Sequence, residues 1–199
     1  IKPMPLWGNT DADESKPKWL TTAQKKEVYA NAEGWVVEAG STMTGNDNTS
    51  ADPEILVAIG GLATNIGAAD VTDVEWITTT ADKSAGFTLS VRVRYNEAVT
   101  VTGSPTLAVT NGNQGTGTGR GPHTLVYASG SGSNELVFSL AIAAANAATN
   151  ADDVLTIGAQ NILKPGGATI KDTSGTASDS AVAISAGQGT AAGSITVVA

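Results

Sequence analysis

The stretch Phe87-Thr88-Leu89-Ser90-Val91-Arg92-Val93-Arg94-Tyr95 sets an apolar side chain at every second position, with Thr, Ser and Arg between them. A period of two puts Phe87, Leu89, Val91, Val93 and Tyr95 on one face of a β-strand and the polar residues on the other. That pattern is a half-buried strand with a core on one side only. Val99 and Val101 alternate next, and Gly103-Ser104-Pro105 turns the chain into Leu107 and Val109. Further along, Leu125 and Tyr127 alternate, then Leu136, Phe138 and Leu140 after a Ser129–Asn134 turn. Shorter apolar runs follow at Val154–Ile157, Ile162-Leu163, Ile170, Val182–Ile184 and Ile195–Val197. On the other side of the opening stretch, Val71, Val74, Trp76 and Ile77 make a first strand. About nine short strands with regular turn signals predict an antiparallel β-sandwich over residues 69–199.

Composition agrees. The chain has 199 residues with 23 Gly and only 15% charged residues, a texture of short strands joined by small polar turns rather than of long helices. Its net charge is −8 and its 11 Lys and Arg are scattered, which argues against nucleic acid as a partner. There is no cysteine, hence no disulfide framework or thiolate chemistry. No apolar run approaches the ~18 residues of a membrane span, so no membrane partner is expected. The first residues also lack the uninterrupted apolar stretch of a signal peptide.

Residues 1–68 read differently. They hold Trp7, Trp19 and Trp35, three of the four tryptophans, and Pro3, Pro5 and Pro17 keep the start extended. Thr21 with Gln24 three positions on is a capping-box signature, predicting one short helix to about Ala30. Gly34–Val37 suits a strand, and Glu54–Ile59, bounded by Pro53 and Gly60-Gly61, suits a buried one. The segment looks too poor in apolar residues to close a core of its own. It is therefore expected to pack on a neighbour, which is the chain's own sandwich, another copy or a different protein; the intermolecular reading is preferred, with Trp7, Trp19, Leu20, Tyr29 and Trp35 as the anchoring side chains.

Sites of chemistry are harder to find. Asp11-x-Asp13-x-Ser15 begins like a calcium loop but has Lys16 where the sixth-position Gly belongs and Thr22 where the twelfth-position Glu belongs. Asn46, Asp47, Asn48 and Asp52, and likewise Asn150, Asp152 and Asp153, are read as turn formers, so no metal is expected. His123 is the only histidine and is placed as a partly exposed sheet residue. Glu75, Glu97 and Glu135 are read as solvated charges beside strands. Gly115–Gly121 matches a phosphate loop only in glycine count. Lys83 and Lys171 are noted as candidates for a lysine–asparagine isopeptide bond. No cofactor and no catalytic residue is predicted.

FTLSVRVRYNEAVTVTG followed by SPTLAV (87–109), together with LVYASGSGSNELVFSLAI, NADDVLTI and LKPGGATIKDTSG, resembles an immunoglobulin-like repeat of large bacterial surface adhesins. The likeness runs from Val71 to Val198, and the chain carries one such unit where adhesins carry tandem arrays. MPLWGNTDADESKPKWLT and GWVVEAGSTMTGNDNTSADPEILVAIGGL are similar to N-terminal segments of structural proteins of T4-like phages, particularly those infecting marine cyanobacteria. Together the two resemblances imply a non-enzymatic virion protein on the capsid surface. It would contact the major capsid protein or another virion protein, in multiple copies or as a homo-oligomer. The alternative they imply is an adhesive module for a host-surface glycan.

Overall fold

The computed structural model describes residues 16–17, 19–112, 121–144, 149–173 and 179–199. In chain order the elements are α1 (Thr22–Lys26), β1 (Val28–Ala30), β2 (Gly34–Val37), β3 (Glu54–Ala58), α2 (Leu62–Asn65) and β4 (Val71–Trp76). Then come β5 (Ala81–Asp82), β6 (Phe87–Thr102), β7 (Thr106–Gly112), β8 (His123–Ser129) and β9 (Ser133–Ile142). The chain finishes with β10 (Val154–Thr156), β11 (Gln160–Asn161), β12 (Thr169–Asp172), β13 (Ala183–Ile184), α3 (Ala186–Ala191) and β14 (Ser194–Val198).

The stretch FTLSVRVRY is the first half of β6, and β6 organises everything else. It does not stop at Tyr95 but runs unbroken through Val99 and Val101 to Thr102, merging what the sequence suggests are two strands. Its first half pairs antiparallel with β9, Leu89 opposite Leu140 and Val93 opposite Leu136. β4 pairs with it too, Val74 opposite Val93. Its second half takes β12, Ile170 opposite Val101, and meets β1 in parallel at Ala30 and Glu97. The pairing path runs β3-β2-β1-β6-β9-β8-β7-β10-β14-β5. Ile195 and Val197 of β14 and Ala81 of β5, at the far end of that path, share one buried cluster with Leu89, Val91, Val93 and Tyr95 of β6. A sheet with a single apolar face can bury it at both ends only by folding over itself, so the architecture is the β-sandwich that the alternation predicts. Each fully buried Leu, Val or Phe in this core, such as Leu125, Val109 and Phe138, contributes about 1.5–3 kcal/mol. The Tyr95 hydroxyl donates to the Ala181 carbonyl at 3.1 Å, and burial pushes its pKa far above the usual tyrosine value.

The described part of residues 1–68 folds around a second cluster. Leu20, Val28, Ala30, Trp35, Val37, Leu62 and Ala63 are buried together, with Met43, Leu56 and Ile59 packed against them. This corrects the expectation that the segment cannot close a core: Trp35, wholly buried, is the largest side chain in it. Gly34, at φ +144°, permits that placement, because a Cβ there would run into the Val57 carbonyl of the neighbouring strand. The Thr21–Gln24 capping box forms as expected, Thr21 N–H donating to Gln24 Oε1 at 2.9 Å and Gln24 N–H to Thr21 Oγ1 at 3.3 Å. The helix is shorter than expected, ending at Lys26. Val28–Ala30 pairs instead with Trp35–Val37, and three ladder positions outweigh one more turn of a marginal helix. Glu54–Ala58 is a strand, but not the buried one expected: it is the last strand of the path and three of its five residues face solvent.

Candidate docking interface

Arg92 and Arg94, two apart on β6, project from its outer face, and strand register surrounds them with acids. Glu75 on β4 lies opposite Arg92 and Asp73 opposite Arg94, while Glu135 on β9 lies opposite Arg94 from the other side. Facing cross-strand charges of opposite sign stabilise a sheet. The N-terminal unit lands on this patch. Arg94, only 6% exposed at its side chain, contacts Glu38 at 3.1 Å, Glu75 at 3.2 Å and Glu135 at 2.8 Å. It also donates to the Lys26 carbonyl at 2.7 Å. Arg92 reaches Glu75 at 3.1 Å and Glu135 at 3.4 Å, and Lys26 pairs with Asp73 at 2.7 Å.

The seam therefore brings four carboxylates to three cations in a poorly hydrated place. Burial raises the Glu38 pKa to about 7; the attraction of Arg94 opposes the rise and the nearby Glu135 charge adds to it. Burial also works against the Arg94 charge, but Glu135, Glu38 and Glu75 outweigh it and hold the guanidinium pKa above its ordinary value. These contacts explain why the two-residue alternation of β6 breaks: Val93 through Glu97 are all buried, because the N-terminal unit covers the face that a lone sandwich would leave wet. Glu75 and Glu135 are thus seam residues and Glu97 is fully buried, where solvated charges were expected.

The expected anchors separate into three fates. Trp35 (0% exposed) and Leu20 lie inside the chain's own second core and offer a partner almost no surface, contrary to expectation. Tyr29, at the middle of β1, is half-covered, and burial followed by the Glu38 charge raises its pKa. Trp19 alone among the described anchors stands out, 61% exposed. Trp7 falls outside the described residues, as do Asp11, Asp13 and Ser15.

What the sequence reading missed is the edge of β3. Ile55 is 51% exposed, and among the described residues the strand pairs only with β2. Its sole charged residue is Glu54, so it lacks the lysines or prolines that protect exposed edges. Other exposed apolar side chains, Ile77, Val126, Leu163 and Val198, are spread over the sandwich. The signal for the edge was present: Glu54 to Ile59 lies between Pro53 and two glycines with no following strand close enough to cover it.

The remaining polar candidates resolve locally. Asn46 Oδ1 accepts from Asn48 N–H at 3.1 Å and Asn48 Oδ1 from Ser50 N–H at 3.0 Å, the turn-forming role predicted for them. His123 is buried rather than partly exposed, its Nε2 3.1 Å from Asn111 Nδ2. Burial lowers its pKa, while the Asp153 charge works the other way. Among the described residues no group of three or more His, Asp or Glu side chains is placed to hold a metal ion, and no helix is long and apolar enough to cross a membrane. No family model, curated protein or solved structure matches the chain.

Proposed function

We propose that this chain is a non-enzymatic structural protein of a tailed-phage virion, decorating the capsid surface by docking its N-terminal unit and projecting the sandwich outward. The observation that carries the reading is the nearly uncharged edge of β3, unpaired among the described residues, together with an exposed tryptophan in the same unit. An exposed edge is a template for strand addition, with backbone hydrogen bonds giving affinity and side chains such as Ile55 giving specificity. A large aromatic such as Trp19 is the kind of side chain that dominates interface energetics. The likeness of residues 1–68 to phage structural proteins supports the same choice of partner, the major capsid protein or another virion protein. Each contact need not be strong, because many copies on a lattice multiply weak attachment.

Co-sedimentation of the purified chain with capsids of a T4-like cyanobacterial phage tests this. Trp19→Ala combined with Ile55→Lys is expected to lower the sedimented fraction at least about tenfold while leaving thermal unfolding nearly unchanged. Undiminished sedimentation would sink the docking model. Binding to host cells or glycans by the double variant, without capsid binding by the parent, would favour the adhesive alternative. Deleting residues 1–68 is a poorer test, since it strips Lys26 and Glu38 from the seam and uncovers Glu97.

A further inference from the structure

We propose that Lys83 and Asn150 condense into an intramolecular isopeptide bond that staples the free end of the sandwich. Lys83 Nζ lies 3.1 Å from Asn150 Oδ1, and the two residues are 67 positions apart in sequence. The amide carbon is one bond from that oxygen, so a small rotation of either side chain brings the nucleophile onto the electrophile.

Both partners are held by their backbones rather than by chance side-chain contact. Lys83 directly follows β5, whose Ala81 and Asp82 pair in parallel with Val197 and Val198, and its own N–H donates to the Val198 carbonyl at 2.9 Å. Asn150 N–H donates to Asp153 Oδ2 at 2.7 Å, and the Asn150 carbonyl accepts from Asp153 N–H at 3.3 Å. Both side chains are half-buried, which limits competition from water. Asp153 is fully buried, and its second oxygen, Oδ1, has no hydrogen-bond partner among the described residues. A buried carboxylate with one oxygen committed to Asn150 and the other open is suited to accept a proton and return it. Lys171, by contrast, lies on β12 opposite Thr100 and forms a backbone bridge with Asp179, and among the described residues no side-chain amide is hydrogen-bonded to its amine.

The step balances without oxidant or reductant. The Lys83 ammonium gives one proton to Asp153, and the neutral Nζ attacks Asn150 Cγ. The Cγ–Nδ2 bond breaks as the Nζ–Cγ bond forms, and a second amine proton goes to the departing nitrogen. Ammonia leaves, and takes the Asp153 proton with it as ammonium. The carboxylate is regenerated, and a secondary amide joins β5 to the loop that leads into β10.

Intact-mass measurement of the full chain after overnight incubation at neutral pH is the test. The expected result is a mass about 17 Da below the sequence value, one ammonia lost. Because asparagine cyclisation elsewhere loses the same mass, tryptic digestion must also yield a branched peptide joining residues 27–92 to residues 121–171. Lys83→Arg and Asn150→Ala should each restore the full mass. An unmodified wild-type mass overturns the proposal without recourse to any variant, and so does a deficit that survives both substitutions.

Discussion

Replacing Glu38 with glutamine should remove most of the pH dependence of this protein's stability between about pH 4.5 and 7.5. Folding raises the Glu38 pKa from 4.5 to about 7, with the attraction of Arg94 already counted. The folded chain thus binds a proton that the unfolded chain has released, and the stabilisation is complete below pH 4.5 and lost as pH climbs through about 7. A change of that size corresponds to at most about 3 kcal/mol. Glu38 keeps 24% of its side-chain surface, so solvent screening reduces the expected loss to about 1–2 kcal/mol. Glutamine retains the shape and an acceptor for Arg94 but cannot ionise beside Glu135 and Glu75. Guanidinium unfolding followed by tryptophan fluorescence at several pH values reads the effect. The wild type should weaken by that amount across the range while Glu38→Gln stays nearly level, equal to or firmer than the wild type at the alkaline end. Parallel pH profiles for the two proteins, or a wild type that strengthens with pH, would refute the reasoning.

Three other substitutions probe the fold. Arg94→Met leaves Glu38, Glu75 and Glu135 facing one another without their shared cation and should cost about 3–5 kcal/mol at neutral pH in the same titration; a cost below about 1 kcal/mol would mean the seam is screened like surface pairs. Trp35→Ala should cost about 3–5 kcal/mol, whereas Trp19→Ala should stay within about 0.5 kcal/mol, a contrast that reverses if Trp35 is the exposed anchor. Gly34→Ala meets both a positive φ and the Val57 carbonyl, and should speed hydrogen exchange at β3 amides well before those of β6–β9.

The sandwich was legible because β6 carries its instruction locally: a half-buried strand must alternate, and Phe87 to Tyr95 does. What lay beyond local reading was the second covering layer. Arg94, Asn96 and Glu97 look like a wet face until Lys26, Glu38 and Ala30, some 60 residues upstream, close over them. The same blindness misplaced Trp35, since an apolar side chain in a Pro- and Gly-rich segment looks the same whether it seeks a partner or its own small core. Helix α3 shows a different limit. Ser185 with Gln188 repeats the capping box of Thr21 with Gln24, but Gly187 and Gly189 within it read as loop. Gly189 is there because a Cβ would strike the Ile157 carbonyl, a tertiary contact that no local rule contains.

The sixteen residues of β6 form a beam about 50 Å long, shared by the sandwich core and the N-terminal unit. No flexible linker intervenes, because the same strand is clamped by β4 and β9 at one end and meets β1 and β12 near the other. A sandwich mounted this way cannot swivel on its base. If the base is seated on a regular shell, every copy should point along one direction relative to its neighbours. Image averaging would then recover the outer sandwich nearly as sharply as the foot, rather than as a blurred knob.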